Sequence, residues 1–199
     1  MIINPETLSP GRRYFLMISC IIPRPIAWAG TVNEDGTCNL APFSFFNGMS
    51  SSPPVVAIGF SPHEDKGRKD TLRNVLRTGE VGVSIPGREL AEKVSATSED
   101  LDYGVDEFSA CRLTPYFGEK ANAPLVKETK VSMECTLLKH VEFGDEGSSM
   151  VLAQIHAFHL DDRLIDNRGT VNPNSLQPLA RLGGGLFTTL GEIFKPENR

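Results

Sequence analysis

The sequence predicts a mainly β protein, a closed antiparallel β-barrel that carries short helices. Eighteen glycines and 14 prolines are spread along the 199 residues and divide the chain into short segments joined by turns. Five or more of these segments are apolar and strand-like, and the two longest form a hairpin near the C-terminal end. Closing such a sheet removes its exposed edges, while a β-sandwich is the competing architecture.

The first strands lie in the N-terminal third of the chain. Residues 26–32 are strand-like, and the sequence Asn-Glu-Asp-Gly at 33–36 then supplies a turn. The apolar run resumes at residues 39–46, where Pro42 argues against a central strand because proline cannot donate a backbone hydrogen bond. Residues 55–60 are a short β-branched run, which is typical of a buried strand.

Two helices and a strand are predicted next. Asp70–Thr78 is a short amphipathic helix that Asp70 can cap and Gly79 can end. Its apolar face contains Leu72, Val75 and Leu76. Glu80–Ile85 follows as a strand, and residues 88–97 form a second helix. The inward face of that helix contains Leu90, Ala91 and Val94.

The remaining chain divides into loops and one long hairpin. Residues 98–124 hold no long periodic segment and predict loops with short turns. Val131–Phe143 alternates between an apolar and a polar face, with only Lys139 out of pattern. After a turn at 144–147, residues 150–160 return as the second strand of the hairpin.

Composition limits the compartment and the partners. The 20 basic and 25 acidic residues give a net charge of −5, which argues against a broad nucleic-acid surface. A length of 199 residues is typical of about one domain, so residues 1–199 are interpreted as one. Four scattered cysteines without a CxxC pair suit a reducing compartment and predict no metal site. No signal-peptide pattern or membrane-length apolar run occurs, so we expect a cytoplasmic protein.

A cluster of donors at the start of the predicted helix suits a phosphate. Lys66, Arg68, Lys69 and Thr71 surround that start. A helix N-terminus offers free backbone N–H groups and a partial positive charge, to which the basic side chains and the hydroxyl add. The alternative is a solvated loop in which Asp70 simply caps the helix.

A second segment, residues 39–47, combines flat apolar groups with hydrogen-bonding groups. Ser44 and Asn47 supply the polar groups. A flavin has an apolar ring face and a polar pyrimidine edge, and therefore needs this combination. The alternative is packing of Phe43, Phe45 and Phe46 in the core.

Several motifs occur together in the order and spacing of one family. The chain resembles the flavin-reductase-like family of FMN-binding split barrels, which includes the flavoredoxins. The resemblance is strong over residues 20–90 and weaker elsewhere, where residues 181–184 carry it. The motifs that carry the strong part are Pro-Arg-Pro-Ile at 23–26, Asn-Leu-Ala-Pro-Phe-Ser-Phe-Phe-Asn at 39–47, Ser-Pro-Pro at 52–54, Lys-Asp-Thr at 69–71 and Thr-Gly-Glu at 78–80.

The resemblance implies a homodimeric, six-stranded, antiparallel Greek-key barrel that holds one FMN, or less often FAD, near the subunit interface. It places Lys69 and Thr71 at the 5′-phosphate, with Lys66 or Arg68 assisting and Ser61 as a further candidate. The residues along the ring and its edge would be Ser44, Phe45, Phe46 and Asn47. Those approaching the ring or ribityl chain through backbone and hydroxyl groups would be Trp28, Ala29, Gly30 and Thr31. Arg24 would serve either the phosphate or the dimer contact.

The function implied is that of an NAD(P)H-dependent flavin reductase. Hydride would pass from the nicotinamide to FMN, and electrons then to a second acceptor, either free flavin for a monooxygenase partner or a metal complex. The flavin supplies the chemistry, so no catalytic side chain is expected. The alternative is an FMN-carrying electron-transfer module that does not oxidise NAD(P)H itself.

The chain departs from the commoner family pattern in two places. The loop at 61–66 is unusually acidic for the phosphate side of a flavin site. Residues 183–187 read Gly-Gly-Gly-Leu-Phe where a tyrosine is more usual. No strand–helix unit surrounds this glycine run, so it predicts a turn or a close backbone approach rather than a dinucleotide loop.

Overall fold

A computed structural model describes residues 1–62, 68–99, 102, 104–143 and 147–197. The α-helices are α1 Pro10–Cys20, α2 Asp70–Thr78, α3 Ala91–Ala96, α4 Glu107–Ala110 and α5 Pro173–Leu176. Short 3₁₀ turns occur at Pro5–Thr7, Arg88–Leu90 and Asp162–Leu164. The strands are β1 Arg24–Pro25, β2 Ala27–Val32, β3 Cys38–Phe43, β4 Phe46–Ser51, β5 Pro54–Phe60, β6 Glu80–Ile85, β7 Pro115–Tyr116, β8 Leu125–Val126, β9 Val131–Phe143, β10 Ser148–Leu160, β11 Ala180–Arg181 and β12 Phe187–Thr188.

The main sheet is antiparallel and has the strand order β3-β2-β6-β9-β10-β5-β4. Its first and last strands, β3 and β4, are consecutive in the chain and are separated only by Ser44 and Phe45. The Gly59 N–H donates to the Phe45 carbonyl at 2.7 Å, which ties this link to β5. One bent strand therefore joins both edges of the sheet, and counting β3 and β4 as that strand gives the predicted six-stranded split barrel.

The barrel has one apolar core inside and a second outside. The interior core takes alternate residues of the strands, and Leu72 and Val75 of α2 pack into it. The outer core surrounds the fully buried Trp28, on the opposite face of β2, and is covered by α3 and α4. Strand β9 is buried on both faces over Val131–Cys135. Met133 and Cys135 belong to the interior core, whereas Glu134, on the other face, accepts from the Lys120 and Ala121 N–H groups.

Local patterns locate most elements. The bounds of α2, β6 and β9 are those predicted from the sequence. Lys139 leaves the alternation of β9 because the pairing with β10 shifts by one residue there, from Leu137 opposite Ala153 to Lys139 opposite Leu152. The extra residue of this β-bulge is Leu138.

Two predictions are corrected, and one helix was not predicted. The helix at 88–97 is a 3₁₀ turn followed by the shorter α3, with Leu90 and Val94 buried as expected. Residues 98–124 contain α4 and β7 as well as loops. Helix α1 was not predicted, although Ser9 caps it and Pro10 occupies its first position, which is a recognisable helix start. None of the helices in the described ranges is long and apolar enough to span a membrane.

Candidate functional site

A cavity of about 330 Å³ lies where the end of β3, the end of β5 and the first turn of α2 meet. Its volume is in the range of small-molecule sites. Five of the residues predicted to bind the cofactor line it: Ser44, Phe45, Ser61, Lys69 and Thr71. The walls near the link between β3 and β4 are apolar, and those near α2 are polar and charged.

The polar end of the cavity is the N-terminus of α2. Lys69 occupies the N-cap position, and its ammonium group has no lone pair with which to cap the first N–H groups of the helix. The prediction that Asp70 caps the helix is wrong, since Asp70 is the first helical residue and its carboxylate lies 3.5 Å from Arg73 Nη1. The positive end of α2 and the Lys69 side chain therefore both face the cavity.

A buried hydrogen-bond network holds the Thr71 hydroxyl in place. Asn39 Nδ2 donates to Thr71 Oγ1 and to Thr31 Oγ1, each at 3.0 Å. Asn74 Nδ2 donates to Thr31 Oγ1 at 3.1 Å and to Asn33 Oδ1 at 2.8 Å. Since Thr71 Oγ1 accepts from Asn39, its own proton is available, and it finds no acceptor among the described residues. Thr71 is therefore a fixed donor at the wall of the cavity.

Three carboxyl groups also line this cavity, namely Asp70, Glu99 and Glu107. Sequence reasoning did not select Glu107, which lies in a segment without periodicity. Its Oε2 accepts from the Leu40 N–H at 2.9 Å. Burial raises the pKa of Glu107 above its ordinary value, and this outweighs the hydrogen bond from Leu40. The contact with Arg73 compensates the charge of Asp70.

The link between the two edges of the sheet forms the apolar end of the cavity. Phe45 lines it, and a Cβ added to Gly59 would lie 2.9 Å from the Phe45 Cβ, so the close approach requires glycine. Ser44 Oγ accepts from Arg24 Nε at 3.2 Å. Phe46 and Asn47 instead line a neighbouring hollow of about 250 Å³, together with Phe45. The structure thus divides the four residues predicted along the ring between two adjacent surfaces.

The predicted group on β2 has side chains that serve the fold. The Trp28 indole is fully buried and donates to Thr97 Oγ1 at 2.9 Å. Ala29 belongs to the interior core, and a Cβ added to Gly30 would overlap the Pro124 carbonyl. Thr31 belongs to the network under α2. None of these four lines the cavity as described, so a role through their backbone stays a prediction.

The other predicted residues have diverse positions. Arg68 pairs with Glu142 at 2.8 Å, and both side chains are more than half exposed. Lys66 lies outside the described residues. Arg24 is buried and donates to the carbonyl groups of Ile18, Ile21 and Leu182, so it joins α1 to the C-terminal segment. Its predicted role at the phosphate or at a dimer contact stays a prediction.

Comparison with known proteins identifies the family of the chain. The model of the "Flavin reductase like domain" matches residues 18–178. The chain belongs to this family. An uncharacterised protein of Aquifex aeolicus is 39% identical over 87% of this chain and 88% of that protein.

Two solved structures are similar over almost their full length. Nitrilotriacetate monooxygenase component B from Bacillus cereus has a TM-score of 0.94 and 30% identity, over 98% of each chain. The 2-nitrobenzoate 2-nitroreductase of Pseudomonas fluorescens has a TM-score of 0.87 and 27% identity, over 100% of this chain and 98% of that one. Membership of the flavin-reductase-like family establishes a flavin-related redox function for this chain.

Proposed function

We propose that the protein binds FMN in the cavity at the start of α2 and works as an NAD(P)H-dependent flavin reductase that passes electrons to a second acceptor. The observation that carries the proposal is the set of hydrogen-bond donors there, namely the first N–H groups of α2 and the Thr71 hydroxyl. Lys69 leaves the first N–H groups of α2 uncapped by its own side chain, and the proton of the Thr71 hydroxyl has no acceptor in the described chain. A phosphate supplies the acceptors that these donors lack.

The residues present fit the two ends of FMN. Lys69, Thr71 and Ser61 would bind the 5′-phosphate, because all three line the cavity, Lys69 and Thr71 at the N-terminus of α2 and Ser61 directly after β5. Pro42 and Phe45 would contact the ring at the apolar end. FAD is less favoured, since it would add a second phosphate and an adenosine to a cavity that already carries three carboxyl groups.

The bound flavin would supply hydride acceptance and electron release, which no side chain in this cavity needs to perform. The chain would bind the phosphate through α2, orient the ring against the link between β3 and β4, and restrict water at the apolar wall. Glu107 would accept a hydrogen bond from the hydroxyl-rich ribityl chain, since its carboxyl group faces the cavity.

We propose that the electrons pass to an acceptor that a second protein uses. The similar Bacillus cereus protein is component B of a monooxygenase. This favours a system in which a reductase supplies electrons and a second protein uses them. The nicotinamide site of this family has no dedicated sequence motif, so NADH and NADPH are both tested as electron donors.

We also propose that the active form is a homodimer. Helix α1 exposes a series of large apolar side chains: Tyr14, Phe15, Leu16 and Met17. The C-terminal segment exposes Leu186 and Phe194. Apolar surfaces of this kind mark interfaces, and a second copy of the chain would cover them. Sedimentation of the wild type should show a dimer and that of Phe15→Glu a monomer; a wild-type monomer would overturn this part of the proposal.

The deciding experiment is an absorption spectrum of the purified protein before and after adding FMN and desalting, followed by anaerobic addition of NADH or NADPH. Retained bands near 370 and 450 nm, the usual oxidised-flavin bands, are expected. Bleaching by either nucleotide is also expected. Binding without bleaching would indicate the electron-transfer module instead, and absence of FMN binding would overturn the proposal.

A further inference from the structure

A second cavity, of about 190 Å³, lies directly beside the proposed flavin cavity. The two share four lining residues: Tyr14, Pro42, Ser44 and Ser98. The second cavity continues from there toward the short ladder of β1 and β11 and the glycine turn that follows it. A ligand in one cavity would therefore be adjacent to a ligand in the other.

Two arginines face each other in this second cavity. Arg24 and Arg181 are directly opposite in the antiparallel pair of β1 and β11, and both line the cavity. Like charges at directly opposed positions of an antiparallel pair are destabilising. Burial lowers the pKa of Arg24; Tyr14 partly offsets this by raising it, and the nearby charge of Arg181 lowers it again. The fold thus maintains an unfavourable contact at this position.

No carboxylate compensates the pair within the described residues. Among the described residues, the Arg24 guanidinium donates to neutral groups, namely Ser44 Oγ and the carbonyl groups of Ile18, Ile21 and Leu182. The Arg181 guanidinium lies 4.4 Å from the centre of the Phe187 ring. The described lining of the cavity contains no acidic side chain. A buried cation without a counterion is unfavourable, so an anionic ligand would relieve the strain between the two charges.

The walls around the two arginines suit an organic ligand. Apolar side chains line much of the cavity: Ile18, Ile26, Val94 and Phe187. Gly184 and Gly185 complete the lining with φ values of 62° and 82°, a backbone conformation that favours glycine. The absence of a side chain at these two positions lets the backbone lie close to a ligand. The glycine run thus has a place in the cavity wall.

We propose that the second cavity binds the anionic head of the organic molecule that exchanges electrons with the flavin, with Arg181 as a direct contact. This inference rests on the proposed function, because the flavin cavity is what the ligand would reach. The shared chemistry is an oxyanion on an organic body. It could be the carboxylate of an organic acid or a phosphate of the nicotinamide nucleotide.

Calorimetric titration of the FMN-loaded protein with benzoate and with inorganic phosphate tests the proposal. Arg181→Gln removes the charge from the cavity, and Arg181→Lys retains it. The matched control is Arg168→Gln, which removes an exposed arginine outside the cavity. At least one anion should bind the wild type. Arg181→Gln should weaken anion binding about tenfold or more, as loss of a charge-assisted hydrogen bond does. The anion affinity of Arg181→Lys should lie between those of Arg181→Gln and the wild type, and that of Arg168→Gln should equal the wild-type affinity. Stronger binding of benzoate indicates an organic acid, and stronger binding of phosphate indicates a nucleotide.

The dissociation constant of FMN is measured for every variant and should change by less than about twofold. Three results would overturn the proposal: no anion binding to the wild type, equal anion binding to Arg181→Gln, or a parallel loss of FMN and anion in Arg181→Gln, which would assign the arginine pair to the flavin itself. If the wild type binds no FMN but shows anion binding that depends on Arg181, the proposed function fails and the anion site stands.

Discussion

Two buried polar clusters differ in how many of their donors and acceptors find a partner among the described residues. On β9, the Glu134 carboxylate is 2% exposed and accepts from His159 Nε2 at 2.7 Å and from the Lys120 and Ala121 N–H groups at 2.6 and 2.8 Å. Under α2, the Thr71 proton finds no acceptor and the buried Asn74 Oδ1 finds no donor among the described residues. The first cluster is saturated by its own chain, and the second is incomplete.

This difference distinguishes a structural polar group from a binding group. A saturated carboxylate stabilises the segments that donate to it, and a Cβ added to Gly118 would overlap the Glu134 carboxyl group, which shows how closely that segment encloses it. An incomplete cluster has donors for a ligand. Burial of a polar residue therefore does not by itself identify a site, whereas unused hydrogen-bonding capacity at a cavity does.

The largest effect is expected for Glu134→Ala. The change leaves the Lys120 and Ala121 N–H groups and His159 without their acceptor, so the free energy of unfolding should fall by about 3 kcal/mol. Urea unfolding measures it, and the exposed Glu119→Ala is the matched control, with a change within about 0.5 kcal/mol. FMN affinity should stay the same; a loss of FMN binding would contradict the assignment of Glu134 to the fold.

The opposite behaviour is expected for Lys69→Ala combined with Thr71→Val. Loss of two contacts to the phosphate should weaken FMN binding by about 2–3 kcal/mol. Riboflavin, which lacks the phosphate, should bind the variant and the wild type about equally. Fluorescence titration with both flavins provides the measurement, and Lys195→Ala controls for the overall loss of charge. Equal losses for both flavins would show that the phosphate lies elsewhere.

A smaller effect is expected for Asn39→Ala, which separates positioning from contact. Thr71 would keep its hydroxyl but lose the amide that orients it, so FMN affinity should fall by about 1 kcal/mol. The effect should disappear with riboflavin. An effect on riboflavin as large as that on FMN would mean that Asn39 supports the ring rather than the phosphate.

The smallest effect concerns pH. Burial alone would raise the pKa of Glu134, but the hydrogen bonds from His159, Lys120 and Ala121 together lower it below its ordinary value. The ionised form therefore stabilises the folded state at pH values above the ordinary pKa of about 4.3, and this contribution is lost as the pH falls through the lowered pKa. The difference in unfolding free energy between the wild type and Glu134→Gln should shrink over that range. A difference that stays constant down to low pH would refute the stated role of the carboxylate.

Prediction from sequence succeeded where a single segment carries the signal. The alternation of β9 and the apolar face of α2 are local, and Gly79 ends α2 with a φ of 76°. The prediction was wrong at the N-terminus of α2. An aspartate at position 70 can either cap the helix or be its first residue, and the local sequence does not distinguish these two positions. Helix α1 had a local signal in Ser9 and Pro10, although most of its large apolar residues are exposed rather than buried.

In the candidate site, too, sequence prediction succeeded where a local motif carries the signal. The motifs of residues 39–47 and 69–71 identified the segments that supply Ser44, Phe45, Lys69 and Thr71 to the cavity. Phe46 and Asn47 line the adjacent hollow because the chain bends at the link between β3 and β4. This bend depends on the pairing of β3 and β4 at opposite edges of the sheet.

The sequence by itself determined the β-rich architecture, the position of the donor-rich helix start and the family. Only the tertiary structure decided that Glu107 lines the cavity at the start of α2, that Glu134 accepts three hydrogen bonds, and that Arg24 and Arg181 are opposed across a ladder. The physical reason is the range of the interactions. Periodicity and turn chemistry act within a few residues, whereas these three environments are built by segments far apart in the chain, whose proximity depends on closure of the sheet.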